Sequence, residues 1–153
     1  MTILIRPIED AAEKSAHCAE ITRKLPRWFG RPDANANYIR GIANRIVYAS
    51  FADEKVSGLI GLDYHFATTC NVWWLGIAPA FHRRGIGRAL MAQAVTEARA
   101  KGCRHMAVET MSPRAKSPDY NLTRYFYEAE GFVPFVEFEP APNDYMMWMI
   151  RPL

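Results

Sequence analysis

A chain of 153 residues, half of them hydrophobic and 23% charged, has the length and composition of one folded domain over residues 1–153, whose core needs no disulfide or metal staple. Its net charge of +3 is too small to mark a nucleic-acid binder, and its cysteines, Cys18, Cys70 and Cys103, form neither a CxxC pair nor a Cys/His metal spacing, so no metal is expected and the thiols read as reduced, in a cytoplasmic protein. No apolar run reaches the length of a signal peptide or membrane span, so no membrane partner is expected either.

Residues 2–7 read as a strand. Asp10 can cap a helix running to residue 24, with Ala12, Ala16, Ala19 and Ile21 on its apolar side, and Pro26 breaks it. A second, short helix is expected over 33–43, with Tyr38, Ile39 and Ile42 on one side. Residues 45–51 and 55–66 form a hairpin pattern around an Asp53-Glu54 turn. A bulky apolar strand over 72–77 follows, then the clearest helix, 87–101. There Leu90, Met91, Ala94, Val95 and Ala98 share one stripe and Gly102 closes it. A strand over 105–110, a short helix over 122–130 stopped by Gly131, and strands over 132–138 and 145–150 complete the chain. The order β-α-α-β-β-β-α-β-α-β-β predicts an α/β fold with a mixed sheet. Its first strands are antiparallel, and one crossover helix joins two neighbouring parallel strands.

The segment richest in chemistry is Ile77 to Leu90, where a strand ends, a loop turns through His82, Arg83, Arg84, Gly85, Ile86 and Gly87, and a long helix begins. Helix starts leave N–H groups free and carry partial positive charge, so they hold anions. Glycines at 85 and 87 let the main chain approach a phosphate, and Arg83, Arg84 and Arg88 add charge. A dinucleotide fingerprint would need a small residue at Leu90 and a glycine turn directly after the strand, yet seven residues separate Ile77 from Gly85. No Gly-Lys-Ser/Thr is present for a P-loop.

The segment resembles the GNAT acetyltransferases, whose signature Gln/Arg-x-x-Gly-x-Gly/Ala follows a strand ending in an apolar-x-Val/Ile triplet. His82, Gly85 and Gly87 take the signature places, His82 replacing Gln or Arg, and Leu75-Gly76-Ile77 matches the triplet. The resemblance is strong over residues 70–135 and extends by element order to the whole chain. It implies the GNAT fold and acetyl-CoA as cosubstrate. Its pyrophosphate would lie on the backbone of 83–88 and its pantetheine arm on Leu75 and Ile77, at a bulged or splayed strand end. Tyr125 to Phe132 is similar to the family's closing Tyr-x-x-x-Gly-Phe, which makes Tyr127 the acid that protonates the departing thiolate. On a helical wheel Leu122, Phe126 and Ala129 form an apolar stripe and Tyr127 lies off it. Glu109 matches a strand glutamate that serves some members as the base, with Asp63, His65 or a water chain as alternatives. The family's asparagine seven residues before the tyrosine falls on Tyr120 here. Asn121, next to it, is carried as a cofactor contact that Thr123 or Arg124 could replace.

An amine acceptor, a small molecule or peptide, is implied between the first helices and the last hairpin. That region holds Trp28, Phe29, Tyr38, Phe135, Phe138 and Tyr145, with Asp33, Glu137 and Glu139 nearby. A homodimer paired through an edge strand or the C-terminal hairpin is a further expectation. Two other readings compete: a non-catalytic acyl-CoA sensor of the same fold, and a glyoxalase-like metal enzyme or drug-binding protein. The second sits badly with the long 87–101 helix and with His17, His65, His82 and His105, which show no ligand arrangement. A nucleic-acid module is disfavoured because the basic cluster occupies a single turn.

Overall fold

The computed structural model describes residues 2–153. Strand β1 (Ile3–Ile8) leads to helix α1 (Ala11–Arg23), whose first turn is capped by the Asp10 carboxylate accepting from Glu13 N–H at 2.8 Å. The face α1 buries is Cys18, Ile21 and Thr22. Ala12 and Ala16 are exposed, against the expected apolar side, because alanine is indifferent to burial and cannot mark a face. Helix α2 (Pro32–Gly41) starts on a proline that needs no intrahelical partner.

Strands β2 (Ile46–Ala52) and β3 (Lys55–Phe66) form the expected hairpin. Asp53 and Glu54 both take positive φ, 49° and 70°, which suits the right-handed twist of the strands they join. Then come β4 (Thr69–Ile77), α3 (Ile86–Ala100), β5 (His105–Met111), α4 (Pro118–Ala129), β6 (Val133–Phe138) and β7 (Met146–Pro152).

The strands make one seven-stranded sheet in the order β1-β2-β3-β4-β5-β7-β6, antiparallel throughout except for β4 beside β5. That parallel pair is joined by α3, as a crossover requires. Its register runs only from Thr69↔His105 to Val72↔Val108. Beyond it the two strands part: β4 stays on β3 and β5 stays on β7. The parting coincides with a bulge. Leu62 pairs with Val72 and Gly61 with Trp74, which leaves Trp73 as an extra residue in β4.

Each face of the sheet carries its own core. On one, Leu90, Met91, Ala94, Val95 and Ala98 of α3 are all buried, meeting Met106, Val108 and Met149 from the sheet. On the other, Ile21, Ile42, Val47, Leu59 and Trp74 pack together, with Phe29 and Tyr38 at the margin. Val72 belongs to the first core and Trp74 to the second. Among the described residues no helix is long and apolar enough to cross a membrane, and no cluster of three or more His, Cys, Asp or Glu could hold a metal ion.

Candidate functional site

The parting of β4 from β5 opens a cavity of about 650 Å³. Trp73 and Glu109, the first residues past the last paired register, stand at its apex, and the loop before α3 stands at its mouth. Along β4, Ala78 N–H donates to Ser57 C=O of the β3 side at 2.9 Å. Strand hydrogen bonds alternate sides, so the main-chain groups of Leu75 and Ile77 face the open side. One is already taken: the His82 ring donates through Nε2 to the Ile77 carbonyl at 2.7 Å. His82 therefore braces the loop against the strand instead of standing clear of it.

At the mouth, Arg83 has φ 60° and Gly85 φ 78°. A Cβ at Gly85 would meet nothing within 4 Å, so glycine is favoured there by its left-handed backbone rather than by lack of room. Gly87 is required for a different reason. A Cβ there would come 3.1 Å from the Phe126 ring, so this glycine lets α4 approach the start of α3. The first helical bond runs from Ala89 N–H to Gly85 C=O. Among the described residues the N–H groups of Arg83, Gly85, Ile86, Gly87 and Arg88 have no partner. Five unpartnered amides around a helix start, with Arg83 on the same cavity wall, could hold an anion. Arg88 lines the mouth and pairs with Glu130 at 3.6 Å.

The structure gathers Leu75, Gly76, Ile77, His82, Arg83, Gly85, Ile86, Gly87, Arg88, Glu109 and Tyr127 on the wall of this one cavity. Arg84 and Asn121 are not on it. The Arg84 guanidinium lies 5.9 Å over the Phe81 ring, and the Asn121 side chain accepts a hydrogen bond from Arg124. Asp63 and His65 are also off the wall, 3.8 Å from each other, with Asp63 held by Arg45 at 3.3 Å.

Helix α4 corrects the expected stripe. Its buried residues are Arg124 and Tyr127, whereas Leu122 is 53% exposed and lines the cavity with Phe126 and Ala129. Hydrophobicity misleads here because the apolar face looks into the notch. Arg124 can be buried because its guanidinium donates to the Met111 carbonyl at 2.6 Å and to Asn121. Tyr127 packs edge-on against Phe126 and Phe132, with centroids 5.4 and 5.5 Å apart. Burial, and then the neighbouring Tyr120, raise its phenol well above the usual range for tyrosine, so it keeps its proton. Glu109 keeps an exposed face, yet partial withdrawal from water among its neighbours, and then the Asp144 carboxylate, raise its pKa above that of an ordinary glutamate.

Of the expected acceptor rim, Trp28, Phe29 and Tyr38 reach the cavity, and Phe135, Phe138 and Tyr145 do not. Phe135 is 70% exposed, and Tyr145 lies under the Arg114 guanidinium at 4.5 Å. Asp33, Glu137 and Glu139 are also off the wall. Trp73, Trp74, Tyr120 and Thr123 also line the cavity; of these the sequence offered Thr123 only as a replacement cofactor contact, and it gave no place on the wall to the two tryptophans or to Tyr120. Tyr120 uses its hydroxyl to hold the Trp28 carbonyl at 2.8 Å, while the Trp28 indole donates to the Asp119 carbonyl and the Thr123 hydroxyl, both at 3.2 Å. With Arg27 pairing Asp119 at 2.9 Å, the α1–α2 loop is latched across the notch to α4. The sequence hinted at α4's role through Tyr120 at the position of the motif's asparagine and through Thr123, but not at the latch itself. Tyr120→Phe removes one neutral hydrogen bond and is expected to lower the unfolding free energy by about 1 kcal/mol, read from urea denaturation.

The acetyltransferase (GNAT) family model matches residues 15–132. Solved structures match across nearly the whole chain. A GNAT-family protein from Desulfovibrio desulfuricans aligns with TM-score 0.82 and 19% identity over 99% of both chains. PaiA N-acetyltransferase from Thermoplasma acidophilum, solved with coenzyme A, aligns with 0.77 and 16% over 100% of both. The ribosomal-protein-S18-alanine N-acetyltransferase of Escherichia coli aligns with 0.76 and 15% over 99% of this chain and 94% of that one. No curated protein matches the sequence significantly.

Proposed function

The chain belongs to the GNAT acetyltransferase family, and on that premise we propose that it moves the acetyl group of acetyl-CoA directly to a primary amine. One observation carries the reading: the gap between β4 and β5 runs from five unpartnered amides at a helix start to a lone carboxylate at its apex. The fit to the cosubstrate is chemical. The amides and Arg83 suit a pyrophosphate, and the open edge of Leu75 to Ile77 suits the amide groups of a pantetheine arm, which would add to it as a strand does.

When bound, acetyl-CoA supplies the acetyl group as a thioester. The protein's own residues manage protons. A lysine-like ammonium, with pKa about 10.4, must lose its proton before it can attack. Glu109 lines the cavity with an exposed side chain and, with its raised pKa, is a stronger base than an ordinary glutamate. Tyr127 holds a proton on its phenol at every ordinary pH and can give it to the departing sulfur. The leucine and phenylalanine of α4 exclude water along the arm.

A thiol-release assay with acetyl-CoA and a panel of amines tests the proposal; CoA binding without release for any amine would instead favour the sensor. The base has a pH signature. Glu109 works only when ionised, and its pKa is raised, so kcat/KM should fall as pH drops through a limb lying above the ordinary glutamate value. That limb should vanish in Glu109→Gln, with about a hundredfold loss at its plateau. A limb from the acceptor's own ammonium would instead move from one acceptor to the next.

A further inference from the structure

The two ends of the cavity differ in chemistry, and the difference bears on what enters. At the mouth stand His82, Arg83, Arg88 and the free amides. At the apex the wall is aromatic. Phe29 stacks on Trp74 with centroids 5.2 Å apart and 20° between planes. Tyr38 meets Phe29 edge-on at 6.3 Å and Trp73 at 5.5 Å. Tyr120 adds a further ring. Within this ring of π faces there is one carboxylate, Glu109. The cavity's other acid, Glu130, is at the mouth with Arg88. Asp144 influences Glu109 from the β6–β7 turn but is not on the wall. Behind the wall, Arg45 already covers a face of Trp73 at 4.2 Å.

We infer that the acceptor is a monoamine carrying an aromatic or apolar body. Its single ammonium is matched by Glu109 and by the electron-rich faces of Tyr38 and Trp73, and its body replaces water against Phe29 and Trp74. A polyamine or an aminoglycoside would bring further cations into an apolar apex that holds no further carboxylate, and an unpaired charge withdrawn from water is strongly disfavoured. This deepens the acetyl-transfer reading and rests on it.

The test uses the full chain with acetyl-CoA and follows thiol release against 2-phenylethylamine, spermidine and kanamycin, alongside calorimetric titration with coenzyme A. The expected result is a kcat/KM for 2-phenylethylamine at least about tenfold above either polycation, since discrimination of that order is what one lost apolar contact or one unpaired charge produces. Tyr38→Ala should lower that kcat/KM about tenfold and leave the coenzyme A affinity as it is. Coenzyme A binding with no turnover of 2-phenylethylamine, or with equal or faster turnover of spermidine or kanamycin, overturns the inference alone. Failure of coenzyme A to bind removes the acetyl-transfer reading itself.

Discussion

Gly85→Glu should eliminate measurable binding of coenzyme A, a loss of more than about a hundredfold in affinity by calorimetry. Two effects act together. The substituted side chain projects into open space at the mouth, where it sets a carboxylate against the pyrophosphate that the amides would hold. It also forces a non-glycine residue to φ 78°, at a cost of about 1–2 kcal/mol. Asparagine tolerates that backbone far better and carries no charge, so Gly85→Asn escapes both effects and should bind within about tenfold of the parent. Circular dichroism of both variants should match the parent, because position 85 packs against no side chain. Unchanged affinity in Gly85→Glu would move the anion receptor elsewhere.

Tyr127→Phe should lower kcat about a thousandfold, within the range of general acid catalysis, while leaving coenzyme A affinity within a factor of two or so. The separation follows from placement. The ring is fixed on both sides by Phe126 and Phe132, and phenylalanine fills the same space, so only the hydroxyl is lost. No hydrogen bond from that hydroxyl to the described residues is present, so its loss breaks no internal contact. Full activity in Tyr127→Phe would remove the phenol from the proton path and leave a water chain in its place.

Much of this was legible in the residues because several segments report one environment each. The α3 stripe sees only the core, and all five of its residues are buried. The loop from His82 to Gly87 is short, local and chemically peculiar, and the structure puts it where a helix start needs it. Helix α4 was misread because it has two apolar destinations, the sheet and the notch, and hydrophobicity cannot tell them apart. Phe126 lines the cavity while Arg124 goes under. The latch from Trp28 to α4 joins residues 91 to 95 apart, a pairing that no local pattern encodes. Phe135, Phe138 and Tyr145, expected on the acceptor rim, are not on the cavity wall, for a related reason. The C-terminal hairpin does close the sheet, but of its residues Met146 lines the gap and these rings do not.

The extra residue in β4 has an arithmetical consequence. Along a regular strand, odd and even positions keep their sides, and Val72, Trp74 and Gly76 would share one. The bulge at Trp73 resets the count, so that Val72 packs with α3, Trp74 with α1, and Leu75 and Ile77 return to the α3 side. The docking edge is thus written in parity, not in any one side chain. Exchanging residues here would alter fit, whereas inserting or deleting a single one would trade the exposed set of peptide groups for its complement.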